Sequence, residues 1–162
     1  MRQPVDASDL QIIRAGRVQI SSLYDLLAWR GSSGEPQSPP PPPDHASKAQ
    51  KMLKMLEHIE SDSLLVWVAQ LEKREDLAGY VSVAKILKPD GRVYFYIDEL
   101  WVPKPFRRNG IASRLLDAVI ETAQEMEMWC IRLVAADTDA ARNLYCKAGF
   151  DVKPGGWAEM ML

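Results

Sequence analysis

The apolar positions of this chain change period several times along its length, and each change marks an element. Residues 10–14, Leu-Gln-Ile-Ile-Arg, form a short apolar run that reads as a first strand. Ile20, Leu23, Tyr24 and Leu27 then recur at helical spacing, which predicts an amphipathic helix over residues 17–29. Met52, Leu53, Leu56 and Ile59 mark a second helix over 46–60. Three strand-like runs follow at 64–71, 77–87 and 92–102, the last two joined by Lys88-Pro89-Asp90-Gly91. Consecutive strands on short turns predict an antiparallel meander. The stretch 93–102 is apolar on both alternating faces, so it is expected near the centre of the sheet.

Ile111, Leu115, Val119, Thr122 and Met126 keep helical spacing to residue 127. A strand at 129–135 and a helix at 139–148 come next, the helix stopped by Gly149. Residues 150–153 and 157–161 read as short closing strands around Pro154-Gly155-Gly156. The order βααβββαβαββ predicts an α/β or α+β fold, a sheet of seven strands with four helices on its faces.

One stretch breaks the pattern. Residues 31–44 hold Gly-Ser-Ser-Gly, Pro36 and the five consecutive prolines 39–43, which no helix can traverse and for which polyproline II is the default. Two readings stay open, a solvated connection within one domain spanning 1–162, or a cover over a substrate site.

Composition removes function classes rather than adding them. At 162 residues, 47% hydrophobic and 26% charged, the chain fits one soluble globular domain. Lys plus Arg number 20 against 22 Asp plus Glu, which gives no prior for nucleic-acid binding. Cys130 and Cys146 stand alone, so neither a metal site nor a disulfide framework can be read. The first nine residues contain Asp6 and Asp9 and no apolar core of a leader. No run approaches the roughly 18 apolar residues of a membrane span. A cytoplasmic protein without membrane contact is expected. His45 and His58 are isolated and expected at the surface, and Cys130, between Trp129 and Ile131, reads as a buried packing thiol.

Chemistry concentrates at residues 100–112, Leu-Trp-Val-Pro-Lys-Pro-Phe-Arg-Arg-Asn-Gly-Ile-Ala. A buried strand ends at Val102, a turn carries Arg107 and Arg108, and Gly110 opens an amphipathic helix. The first amides of a helix lack internal partners and sit at the positive end of its dipole. A glycine lets a phosphate approach them, and arginines add charge-assisted hydrogen bonds. This is an anion site in outline, although it matches neither the nucleotide P-loop nor the dinucleotide glycine fingerprint.

The run Arg107-x-x-Gly110-x-Ala112 after a central strand resembles the pyrophosphate loop of the GNAT superfamily of N-acetyltransferases. Ala141-Arg142-Asn143-Leu144-Tyr145-Cys146-Lys147-Ala148-Gly149-Phe150 is similar to that family's A-x-x-L-Y-x-K-x-G-F helix, and Ile13-Arg14-Ala15 to its first strand. The resemblance covers residues 10–162 and implies a mixed, mostly antiparallel central sheet. It also implies acetyl-CoA as cosubstrate, no metal, and an amine, small molecule or protein, as acceptor, with a homodimer left open. Two departures stand out: Arg108 occupies a position often glycine in the family, and Thr138 one often asparagine, where a weaker contact is expected.

The resemblance further implies roles. Main-chain amides of Arg107, Arg108, Asn109, Gly110, Ile111 and Ala112, with Ser113 and Thr138 beside them, would hold the coenzyme. Leu100, Trp101 and Val102 would splay from the strand at 131–135 so that pantetheine enters like a strand. The Val102 amide would polarise the acetyl carbonyl, and Tyr145 would donate a proton to the leaving thiolate. An alkylamine of pKa about 10.4 must lose a proton before attack, at a cost on the order of 4–5 kcal/mol at neutral pH. A nearby carboxylate eases that step. Strict alternation puts Asp98 on the face of Leu100 and Val102 and Glu99 on the other, and both remain candidate bases. The competing expectation is a module of the same fold that binds acetyl-CoA without transferring it.

Overall fold

The computed structural model describes residues 9–32, 44–72 and 76–162. Its strands are β1 (Leu10–Arg14), β2 (Leu64–Leu71), β3 (Leu77–Leu87), β4 (Val93–Trp101), β5 (Cys130–Val134), β6 (Asp151–Val152) and β7 (Trp157–Met161). Its helices are α1 (Ile20–Arg30), α2 (His45–Glu60), α3 (Ile111–Glu125) and α4 (Asp139–Ala148). The strands form one sheet in the order β1-β2-β3-β4-β5-β7-β6, with β4 central. Every neighbouring pair is antiparallel except β4 and β5. Element order and sheet class are those the periodicity predicts. The proline run 39–43 and both readings of it lie outside the described residues. No helix among those residues is long and apolar enough to cross a membrane.

The two faces of the sheet can be told apart on β3. Tyr80 and Ser82 pair with Trp101 and Glu99 and face α1, whereas Val81 and Val83 pair with Leu100 and Ile97 on the other side. That other side carries α3, whose stripe Ile111, Leu115, Leu116, Val119 and Ala123 is buried against β1 to β5. Burying each of the larger of these side chains contributes about 2 kcal/mol, so the helix is held by packing rather than by propensity. Gly79 lets this layer close. A Cβ there would lie 3.1 Å from the Trp101 carbonyl oxygen and 3.3 Å from Ile111 Cγ2, so only a hydrogen fits where β3, the end of β4 and the start of α3 converge.

The helix expected over 17–29 is delayed at its start. Residues Arg17–Gln19 form a single 3-10 turn, because Gln19 Oε1 accepts from the Gly16 amide at 3.1 Å and holds the entry before α1 begins. α2 starts where the sequence indicates, with Asp44 Oδ1 accepting from the Ser47 amide at 3.0 Å. His45 and His58 are exposed, Cys130 is buried, and burial pushes the Cys130 thiol upward from its usual range.

The turn before β7 yields a stability prediction. Gly156 has φ 85°, and a Cβ on it would stand 2.5 Å from the Ala135 carbonyl oxygen. The same two residues are joined by the Ala135 amide donating to Gly156 O at 2.7 Å. Gly156→Ala is therefore expected to cost about 2–4 kcal/mol, from left-handed strain plus a clash with main chain. Chemical denaturation would read it as a lowered midpoint at unchanged slope; a midpoint equal to wild type would refute it.

Candidate active site

β4 and β5 run side by side for only a short stretch. Their pairing joins Phe95 to Ile131, Tyr96 to Arg132 and Ile97 to Leu133, and there it stops. β4 continues to Trp101, while β5 stays with β7 through Val134↔Trp157 and the Ala135–Gly156 bond. Among the described residues, the β5-facing edge of β4 beyond Ile97 is thus without a strand partner, and its main-chain groups can meet a ligand. Both strands point the same way and each leads into a helix, so α3 and α4 start at this splayed end and pack on each other. A crevice at the carboxyl ends of parallel strands is where α/β sheets bind ligands. Leu100, Trp101 and Val102 lie along it, as expected.

The turn after β4 is held by its own side chains. Phe106, closing the 3-10 turn Lys104–Phe106, is buried edge-on to Trp29 at 6.3 Å. Arg107 Nε donates to the Val102 carbonyl at 2.9 Å. The Asn109 side-chain amide donates to Phe106 O at 3.0 Å and to Arg107 O at 3.2 Å, so this side chain braces the loop and leaves only its main chain for a ligand. Arg108 and Gly110 both adopt left-handed backbone, with φ 65° and 72°. The first main-chain bond of α3 runs from the Arg114 amide to Gly110 O at 3.1 Å, which leaves the amides of Ile111, Ala112 and Ser113 without an intrahelical acceptor. Nothing lies within 4 Å of where a Gly110 Cβ would sit. Open amides at a helix start, beside exposed Arg108 and Ser113, suit a bound diphosphate.

On α4, the Thr138 hydroxyl oxygen accepts from the Ala141 amide at 3.2 Å and caps the helix, leaving its hydrogen to donate outward. Tyr145 is buried, edge-on to Phe150 at 5.7 Å. Gly149 (φ 101°) reverses the chain, and the Phe150 amide bonds Tyr145 O at 3.0 Å, which brings the two rings together. The Tyr145 hydroxyl has no protein partner among the described residues, yet no buried side-chain polar atom there goes unpaired, so it meets solvent. Burial pushes this phenol up to about 12, which keeps it protonated, as a proton donor must be.

The structure separates the two carboxylates. Ser82 pairs with Glu99 and Val83 with Ile97, so Asp98 is an extra residue bulged from β4 and is exposed. The alternation expected through Asp98 therefore fails: Leu100 shares its face with Ile97, and Asp98 belongs to the bulge. Glu99 does face away from Leu100, toward α1. Its Oε2 accepts from the Tyr80 hydroxyl at 2.5 Å and its Oε1 lies 2.5 Å from an Arg30 guanidinium nitrogen. Burial first, then that hydrogen bond, raises the Tyr80 phenol well above its usual range, so it too is a donor. Trp101 packs against Trp29 at 6.2 Å and, at 6.4 Å, against Tyr80, the phenol that holds the carboxylate. Sequence reasoning did not find Tyr80, Trp29 or Arg30; only strand register and the end of α1 bring them to Glu99. A separate groove of about 430 Å³ between α1 and α2, lined by Ile20, Lys48, Met52 and Leu56 among others, shares no residue with this site.

The acetyltransferase (GNAT) family sequence model matches residues 22–150, which takes in the Gly110 turn, Glu99 and Tyr145. The chain belongs to the GNAT acetyltransferase family. Acetyl-CoA-dependent acetyl transfer is the activity of that family. A search of curated proteins finds no match. Among solved structures, the GNAT chain is similar to a GNAT acetyltransferase from Streptococcus pneumoniae, at 19% identity and TM-score 0.72, covering 94% of this chain and 99% of that one. It is also similar to a predicted acetyltransferase from Clostridium acetobutylicum solved with acetyl-CoA, at 22% identity and TM-score 0.64 over 89% and 91% of the two chains. A third likeness is to a chain of the NatC complex bound to Gag peptide and CoA, at 19% identity and TM-score 0.64 over 95% and 99%. At these identities the likeness is one of fold. Arg108 adds a detail of this GNAT chain, because its left-handed backbone is the kind glycine adopts without strain.

Proposed function

We propose that this protein acetylates a primary amine by direct attack on acetyl-CoA in a ternary complex. The observation that carries the reading is the coincidence, at one end of the sheet, of a β4 edge and α3 amides that have no main-chain partner among the described residues. The amides from Arg108 to Ala112, with Ser113, bind the pyrophosphate, and the free Thr138 hydrogen adds a contact; the Arg107 amide, expected among them, instead donates to the Lys104 carbonyl at 3.3 Å. Pantetheine lies along Leu100 to Val102 as a surrogate strand, and the Val102 amide polarises the thioester carbonyl. Of the two carboxylates, Glu99 is our choice as base, because it is part-buried and held by the Tyr80 hydroxyl beside the splayed edge, whereas Asp98 is solvated.

The acceptor ammonium gives a proton to Glu99 and its nitrogen attacks the thioester carbon. The C–N bond forms, the C–S bond breaks, and Tyr145 protonates the departing sulfur. Tyr145 recovers its proton from solvent as the second amine proton leaves, so the products are the N-acetyl amine, coenzyme A and one proton. Calorimetry with acetyl-CoA, followed by an amine panel read by mass spectrometry, tests this. Coenzyme binding with an acetylated product is expected. Binding without product from any amine would leave a coenzyme sensor, and absence of binding would remove the pyrophosphate site.

A further inference from the structure

The contact between Arg30 and Glu99 points to the acceptor. Arg30 is the last residue of α1, and Glu99 lies on the part of β4 that has left β5. Their side chains are 43% and 28% exposed, so a small solute reaches both. Glu99 is the only partner Arg30 has among the described residues, and a guanidinium carries five N–H donors in a planar fork. Among the described residues, most of that fork has no acceptor and can serve a second anion. Tyr80 holds the other Glu99 oxygen, so the carboxylate keeps its place when Arg30 turns toward a ligand.

The geometry points to an acceptor that carries a carboxylate beside its amine, as a free α-amino acid does. Opposite charges in contact on the protein match opposite charges separated by one carbon on the ligand: ammonium on Glu99, carboxylate in the Arg30 fork. A polyamine brings a second cation toward Arg30, and neither the side-chain amine of a protein lysine nor a peptide N-terminus has a main-chain carboxylate one carbon away. Trp101, half-buried beside the pair, supplies an apolar wall for the body of the amino acid. Arg30 is then a specificity-determining residue. This inference rests on the reading of the protein as an amine acetyltransferase, with the amine attacking and coenzyme A leaving as written above.

The test compares matched acceptors on the full-length protein: phenylalanine, phenylalaninamide and phenethylamine, and the same three forms of leucine. We expect kcat/KM for the acid to exceed that for its amide by at least about tenfold, as loss of a charge-assisted pair implies. In Arg30→Gln that ratio falls toward one, through the KM of the acid, and Arg30→Lys restores part of it; acetyl-CoA binding to each variant shows that the fold is intact. Amides or decarboxylated amines acetylated as well as the acids by wild type would overturn the inference while leaving the acetyltransferase reading in place. An acid-over-amide ratio unchanged in Arg30→Gln would overturn Arg30's part in it. Coenzyme binding with no amine acetylated at all would sink both.

Discussion

Arg107→Ala combined with Gly110→Asp is expected to abolish acetyl-CoA binding while leaving the protein folded. Gly110 takes φ 72° at the start of α3, and space is open where its Cβ would be, so a side chain there meets backbone strain but no clash. Aspartate tolerates left-handed backbone better than most residues, at a cost of roughly 1 kcal/mol. Its carboxylate would sit beside the amides of Ile111, Ala112 and Ser113 and take up donors otherwise offered to the diphosphate. It also sets a negative charge against the phosphates. Two unit charges 4 Å apart repel by about 4 kcal/mol at the effective dielectric of a protein surface. Removing Arg107 releases the bond that holds the turn to the Val102 carbonyl. Together these raise Kd by about a thousandfold or more, beyond detection in ordinary calorimetry. Gly110→Ala, which adds strain without charge, should fall in between. A double variant that still bound acetyl-CoA within tenfold of wild type would mean that the diphosphate is held elsewhere.

Local punctuation accounts for what could be read in advance, and long-range register for what could not. The end of α4 was legible because Gly149 stops it. The end of β3 was likewise marked by Pro89, Asp90 and Gly91. The candidate anion turn could be marked in advance because its residues are contiguous, with Arg107, Gly110 and Ala112 within one short run. Asp98 was misplaced because a bulge is decided by how β4 pairs with β3, and the sequence of β4 alone still alternates. The Arg30–Glu99–Tyr80 cluster had no local signal, since three elements distant in sequence supply it. Thr138 shows a third kind of miss: a residue considered only for ligand contact also caps α4, and one hydroxyl does both by accepting inward and donating outward.

Tyr145→Phe is expected to lower kcat by about tenfold to a hundredfold with little change in the affinity for acetyl-CoA. The phenylalanine ring keeps the edge-on contact with Phe150, and the lost hydroxyl has no protein partner among the described residues, so packing and pocket shape persist. What goes is the proton for the departing sulfur, which must then come from water. Burial, which raises this phenol from 10.0 to about 12, also fixes the pH behaviour. The unfolded chain ionises Tyr145 first, so its neutral form stabilises the native state fully below pH 10, and that contribution is lost as pH rises through 12. Wild type should therefore lose more stability than Tyr145→Phe between pH 10 and 12, and the two should run parallel below pH 10. Over that lower range the donor stays protonated, so any alkaline decline in wild-type kcat below pH 10 belongs to another group. A variant with wild-type kcat would take Tyr145 out of the chemistry. A raised Kd at unchanged kcat would make it a binding residue, and the thiolate would then leave unassisted.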